Sequence, residues 1–337
     1  MDDLPIDFSH PAVRDYLALV RLQVLTPLSL LINIATVIIC AFVVHPSLST
    51  ISREYPTAIS PRPAVIAVYL AALYVGQIGY CILLVVARKP ETKATLIKGV
   101  GFPLVLANWI MAFWAISWVF RGFIAATVFQ GILILLLLYS NINLLVYHAP
   151  TTRRPLDVAL IHAPVRFFLV WPLMLMFAES LFLALGMYRP SAPYGWPQPE
   201  LPARYIWPAF GVVLGTNILG LIVIVLRRDI VWAVASTWLC IALWAEPGKP
   251  EHIQILAILF TALHPLALIA AYAHYYFFRG GNVRLEGEES PLLEQERQER
   301  RRSANGGGAQ GNGGNGGEAT GTGGRGPREV DAQAVWG

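Results

Sequence analysis

One carboxylate in this chain falls deep inside an apolar run. Glu179 sits near the middle of FFLVWPLMLMFAESLFLALGM, residues 167–187, with no other charge in the stretch. A charged side chain at mid-membrane costs roughly 3 kcal/mol on insertion scales, and such residues tend to face a cavity or a partner. Two kinds of chemistry would use it. It could take up and release a proton, or it could give a polar contact to a ligand held otherwise by apolar groups. The structural alternative is a protonated carboxyl bonded to a neighbouring helix, since burial favours the neutral form; Asn108, Gln130, Asn217 and His264 are then its candidate partners. Tryptophans accompany it. Trp171 stands eight residues before Glu179, and Trp109, Trp114 and Trp118 recur along another apolar run. Their rings serve packing or stack on a flat ligand. Trp196, Trp207, Trp232 and Trp244 fall near the ends of runs, where an aromatic belt accounts for them.

Amides are the other polar groups within the runs: Asn33, Gln77, Asn108, Gln130, Asn141, Asn143 and Asn217. Taken singly, each is best explained as an interhelical hydrogen bond, worth about 0.6 kcal/mol on average; taken together, they could line a polar pocket. The candidate ligand-binding set is therefore Glu179, Trp171, Asn108, Trp109, Trp114 and Asn217. His264 and His162 lack a second ligand at a recognisable spacing and read as structural histidines, so neither a metal nor a cofactor is expected. Cys40, Cys81 and Cys240 lie within apolar runs and read as small buried hydrophobes. Gly211 and Gly215 form a small-xxx-small pair that predicts a close helix contact. The phosphate-cradling, dinucleotide, HExxH, GxSxG and CxxC patterns of soluble enzymes do not occur, and the chain reads as non-enzymatic.

The elements that must position these residues are long apolar helices. Of the 337 residues, 55% are hydrophobic and only 14% charged, against about 25% charged in a soluble domain; the mean hydropathy is +0.54. The apolar residues gather in runs of about 20, the length that crosses a bilayer core as helix, without the alternation of a barrel. The expected fold is all-α, a polytopic integral membrane helix bundle of about eight transmembrane helices. The spans fall near 24–44, 64–87, 101–120, 124–147, 167–187, 206–226, 230–245 and 253–278. The seventh is short enough to be tilted or re-entrant.

Basic residues orient the bundle. With eight spans, one face receives Arg14, Arg21, Arg88, Lys89, Lys93, Lys98, Arg153, Arg154, Arg166, Arg227 and Arg228. The other face receives fewer: Arg53, Arg62, Arg121, Arg189, Arg204 and Lys249. Lysine and arginine are retained on the cytoplasmic side, so both termini are expected there. The net charge of +4 then reports topology, and no nucleic-acid partner is implied. Residues 1–23 read as a cytoplasmic leader with a short interfacial helix after Ser9-His10-Pro11, its acidic opening MDDLPIDF unlike a cleavable signal. Residues 24–278 form the membrane domain. Residues 279–337 read as a disordered cytoplasmic tail, too poor in apolar residues to fold. Within the tail, Glu288 stands four residues before the Leu292-Leu293 pair. This resembles an acidic dileucine signal, read by a sorting adaptor, and would place the protein in an endomembrane such as vacuole, lysosome or endosome. Chance recurrence of so short a motif is the competing explanation.

Two blocks resemble a known family. GFPLVLANWIMAFWAISW, with the following ILILLLLYSNINLLVY, is similar to the Asn, spaced tryptophans and Leu-rich helix of the tryptophan-rich sensory protein / translocator protein group. VRFFLVWPLMLMFAESLFLALG, with WPAFGVVLGTNILGLIVIVLRRDIVWAVASTWLCIALW, is similar to that group's aromatic–Leu–x–x–Trp helix and to later helices of its longer relatives. The resemblance implies a helical bundle associated with tetrapyrrole and sterol-like ligands and with stress responses. This chain departs from the pattern at Glu179, where the family carries Asn, at Leu175, where it carries Ala, and at Pro172, directly after Trp171. The leading expectation is a membrane protein that binds or moves a small hydrophobic or flat ligand within the bundle. A proton-coupled transporter using Glu179 and a structural or interaction protein are the alternatives; no internal repeat favours the transporter. The lipid bilayer is the expected partner, and a second copy of the chain is left open as another.

Overall fold

The computed structural model describes residues 11–148, 155–189 and 201–279. The dileucine residues Glu288, Leu292 and Leu293 lie outside them. Among the described residues the architecture is all-helical, and the extended pairing is a single bridge between Thr57 and Tyr188. The helices are α1 (Pro11–Ile38), α2 (Leu48–Glu54), α3 (Pro63–Val86), α4 (Pro90–Val119), α5 (Phe123–Val146), α6 (Pro155–Ala184), α7 (Ala203–Arg227), α8 (Ile230–Trp244) and α9 (Glu251–Arg279). By length and composition, seven of these can cross a membrane: α1, α3, α4, α5, α6, α7 and α9. Helix α8, with 15 residues, is about 22 Å long, short of the roughly 30 Å hydrocarbon core.

Local sequence sets the helix ends. Pro63, Pro90 and Pro155 open α3, α4 and α6, where a missing N–H costs nothing. Asp229 caps α8 by accepting from the Trp232 amide at 3.1 Å. Helix α7 ends at Arg228, a non-glycine residue with φ of 51°. Two spans begin well before the expected boundaries. Helix α4 starts at Pro90 and bends at Gly101, whose φ of 49° suits a residue without Cβ. Helix α6 starts at Pro155, and its first turn is tied across to α4 by the Thr92 hydroxyl, which donates to both oxygens of Asp157 at 3.1 and 2.9 Å. The polar residues in these first turns hide the helix from a hydropathy reading. Helix α1 is continuous from Pro11, so the leader's amphipathic turn and the first span are one element.

Helix α6 is the centre of the bundle. Its most apolar window is 72% buried, against 61% for α4 and 33% or less for the other spans. It packs against α3, α5, α7 and α8, while α1, α4 and α5 form one flanking set and α7, α8 and α9 the other. The approach to α3 is close: a Cβ on Gly79 would stand 2.8 Å from Leu160, and one on Gly76 would stand 3.2 Å from Pro164. Gly211 and Gly215 behave otherwise. Nothing lies within 4 Å of where their Cβ atoms would be, so the close contact expected of that pair is not made within the described chain.

Some polar groups inside the bundle are paired across helices. Asn33 of α1 donates to Asn108 of α4 at 2.9 Å, and the Tyr74 hydroxyl of α3 reaches the same Asn33 amide at 3.5 Å. Arg166 of α6 and Asp229 at the start of α8 form an ion pair at 2.8 Å, their side chains 9% and 3% exposed. Removing one member of such a pair strands the other charge, at a cost of roughly 3–5 kcal/mol, whereas apolar replacement of both is close to neutral. Asp229→Asn should therefore lower the melting temperature of the detergent-purified protein clearly, and Arg166→Met with Asp229→Leu should recover most of the loss. Equal melting of parent and Asp229→Asn would show that the pair does not hold α6 to α8.

Candidate functional site

Pro172 shapes the site. A proline within a helix cannot donate to the preceding turn, and the chain responds with a wide turn over Pro172–Met176, closed by the Phe177 amide on the Pro172 carbonyl. The wide turn absorbs one residue. In a regular α-helix, positions eight apart stand roughly 80° apart around the axis, and positions seven apart roughly 20°. The insertion thus brings Trp171 and Glu179 onto one face of α6. Wide turns of this kind recur at functional sites.

That face forms the back wall of a cavity of about 530 Å³ between α1, α2 and α3. Trp114 and Trp118 of α4, with Trp171, Met176 and Glu179 of α6, lie deepest from the lipid-facing side. Trp114 and Trp171 meet edge to face, centroids 5.2 Å apart at 90°, and Trp118 lies 5.6 Å from Trp114. The side walls are Val37, Ile38 and Phe42 of α1 and its continuation, and Ala64, Ala67, Leu70, Ala71 and Tyr74 of α3. Phe42 and Ile38 are exposed, as are the three alanines, so the cavity opens between α1 and α3 toward what would be lipid. Among the described residues, the indole nitrogens of Trp114 and Trp171 and the Glu179 Oε1 are buried without a partner.

The expected site residues divide. Glu179, Trp171 and Trp114 line this one cavity. Trp109 lies away from it beside Phe113, because five helical positions from Trp114 turn it roughly 140° around α4. Asn108 is engaged with Asn33. Asn217 of α7 borders a separate void of about 10 Å³, donating to the Val213 carbonyl at 2.7 Å and accepting from the Cys240 thiol at 3.0 Å. Trp118 joins the site as well. Its spacing of four from Trp114 places both on one helix face, a signal present in the sequence.

With α6 running Pro155–Ala184, Glu179 lies five residues from the helix end, on the side of the bundle that carries α2. Its neighbours are the Ser60 hydroxyl and the Lys249 ammonium. Of the four partners expected for it, Gln130 has no side-chain hydrogen bond among the described residues, His264 lies against the Asn217 backbone, and Asn108 and Asn217 bond elsewhere. Ser60 belongs to the loop 55–62, of which residues 57–61 are buried among the helices. A loop at this depth must have its backbone satisfied internally. The Thr57 amide donates to Ser60 Oγ at 2.8 Å, the Ile59 amide to Thr57 Oγ1 at 3.2 Å, and the Arg62 amide to the Ala242 carbonyl at 2.8 Å. From outside the loop, the Arg189 amide donates to the Pro56 carbonyl at 2.9 Å, and Lys249 Nζ to the Ala58 carbonyl at 3.1 Å. Lys249 lies in the α8–α9 turn. Burial pushes its ammonium down to about 7, against the pull of the Glu179 and Glu246 carboxylates.

A family model described as TSPO-like protein matches residues 23–273. No curated protein and no solved structure matches the chain.

The pairing of Glu179 with Lys249 can be measured directly. Because the folded value lies near 7 and that of an unfolded lysine near about 10.4, the unfolded chain holds the extra proton between them. Lys249's contribution to stability therefore rises with pH across that window. In protein with isotopically methylated lysines, one NMR resonance should titrate near pH 7 and vanish in Lys249→Arg. In Glu179→Gln its midpoint should fall further, since the carboxylate favouring the ammonium is gone. A midpoint indifferent to Glu179→Gln would show that the two groups do not interact.

Proposed function

The chain belongs to the TSPO-like protein family, and from that premise we propose that it is a non-enzymatic binder of a flat hydrophobic ligand, tetrapyrrole- or sterol-like. The ligand occupies the cavity backed by Trp114, Trp118, Trp171 and Glu179. The observation that carries this reading is a set of polar atoms without a partner among the described residues, on side chains of a mainly apolar cavity wall that also carries Ser49, Ser52, Arg53 and Tyr74: two indole N–H donors and one carboxylate oxygen. Each buried polar group left unmade costs about 1–3 kcal/mol. A ligand hydroxyl or carbonyl oxygen accepts from the indoles, a hydroxyl or ring N–H donates to the carboxylate, and the ring faces meet its apolar body. The volume of about 530 Å³ falls in the range of roughly 300–1,000 Å³ typical of small-molecule sites. Access is lateral, from the bilayer between Phe42 of the α1 continuation and the alanines of α3, which suits a ligand dissolved in lipid.

Glu179 acts in this reading as a ligand contact. A proton relay across the membrane would want its carboxylate near the midplane with further titratable groups in series, and Glu179 sits instead near one end beside Lys249. In this reading both termini are cytoplasmic, on the strength of the bias of basic residues, and the cavity faces the opposite leaflet. Residence in an endomembrane rests on the dileucine pattern at Glu288, Leu292 and Leu293.

Purified protein in detergent should show saturable quenching of tryptophan fluorescence by a porphyrin, or saturable displacement of a fluorescent sterol. Glu179→Gln should weaken binding about tenfold, the loss of one charged hydrogen bond. Trp171→Phe should weaken it to a similar or lesser degree, and Ala67→Phe, at the opening, should slow association more than dissociation. Quenching no greater than in a control membrane protein, with no sterol displacement, would overturn the ligand-binding function.

A further inference from the structure

A second groove, of about 640 Å³, lies between the end of α7 and the later part of α9. Helix α9 presents small side chains to it, Ala267, Ala270 and Ala271, and α7 presents Leu226; at the mouth stand Arg228 and Tyr275. This is the far end of the bundle from Glu179: Ala271 is about 30 Å along α9 from the end beside Lys249.

The turn at Arg228 is built to hold a cation there. Arg228 is left-handed, φ 51° and ψ 44°, a conformation that non-glycine residues keep only where the surroundings enforce it. Two contacts enforce it. The guanidinium lies over the Tyr275 ring, 4.0 Å from its centroid, and the Tyr272 hydroxyl donates to the Arg228 carbonyl at 3.3 Å. The adjacent carboxylate does not neutralise it, for Asp229 is committed to Arg166 at 2.8 Å and to the α8 cap at 3.1 Å. Arg227 adds a second exposed cation next in the chain.

We propose that this groove is a binding site for an anionic phospholipid, one acyl chain lying along the alanines of α9 and the headgroup phosphate at Arg228. Charge complementarity decides the occupant. An apolar channel opening to lipid would take any acyl chain, but an arginine fixed at its mouth, with its neighbouring aspartate engaged elsewhere, selects a negative headgroup. Basic pockets between transmembrane helices hold such headgroups, and the same arginines place this end in the cytoplasmic leaflet, where anionic lipids are enriched. The site does not depend on the tryptophan cavity.

The test uses the full-length protein, delipidated in detergent, with a fluorescent phosphatidylserine as probe. Unlabelled phosphatidylserine should displace the probe at least tenfold more effectively than phosphatidylcholine. Arg228→Gln should abolish that preference. Ala271→Leu, which keeps the charge and fills the groove, should weaken binding of both lipids. Far-ultraviolet circular dichroism and Asp229-dependent melting show that each variant remains folded. Equal displacement by the two lipids, or unchanged phosphatidylserine binding in folded Arg228→Gln or Ala271→Leu protein, would overturn the proposal. Displacement by glycerophosphate alone at equal concentration would also overturn it, since the acyl chain would then contribute nothing.

Discussion

The central helix α6 must carry a proline through the middle of a membrane protein, and the rest of the structure follows from how it does so. Pro172 has no N–H to give, so the helix cannot close regularly there. The wide turn from Pro172 to Met176 follows directly, with the Phe177 amide, one residue later than in an α-helix, on the Pro172 carbonyl. That single inserted residue rotates everything beyond it. Without it Glu179 would point well away from Trp171; with it the carboxylate and the indole share a wall. The turn can exist because α6 is enclosed by α3, α5, α7 and α8, so the loosened backbone meets protein and not lipid.

Placing a carboxylate on that wall creates a second constraint, which the loop 55–62 and Lys249 answer together. The loop supplies a hydroxyl from Ser60. Its own amides are satisfied by Thr57, Ser60 and Ala242, and its Ala58 carbonyl accepts from Lys249. Lys249 thus serves both the loop and the carboxylate. Among the described residues, Oε1 of Glu179 and the indole nitrogens of Trp114 and Trp171 remain buried without a partner, all on side chains that line the cavity.

The fold was legible because lipid imposes a simple rule: runs of about 20 apolar residues become helices. What that rule could not see were the first turns of α4 and α6, where Glu91, Lys93 and Asp157 interrupt the hydropathy although Pro90 and Pro155 already open the helices. Extending α6 back to Pro155 is also what takes Glu179 off the midpoint of the helix. Within the site, Glu179, Trp171 and Trp114 stood out by residue type alone. Trp118 was readable from its spacing to Trp114, and Trp109 could have been set aside by the same arithmetic. Asn108 could not, because its amide is taken by Asn33, 75 positions earlier in the chain. Lys249 was equally hidden: it reads as a loop charge until the folded chain sets it beside a carboxylate 70 residues before it. Contacts of that range are made by tertiary packing and leave no local pattern.

The shortness of α8 acquires a reason from this arrangement. A full span of about 20 residues would carry its last turn roughly 7 Å farther toward the headgroups. Instead α8 ends at Trp244, is tied to the start of α3 by the Ala242 carbonyl and by the Trp238 indole, which donates to Val65 at 3.1 Å, and then turns at Gly248, whose φ is 74°. The turn therefore dips to the level of Glu179, and the Gly248 carbonyl accepts from Arg189 at 3.0 Å. A longer eighth helix would be better matched to the bilayer but would withdraw the ammonium and leave Glu179 buried without its opposite charge. The mismatch with the membrane is thus offset by the charge that the α8–α9 turn delivers to the end of α6, so the flanking set α7–α9 supports Glu179 although the side chains of these three helices do not line the cavity.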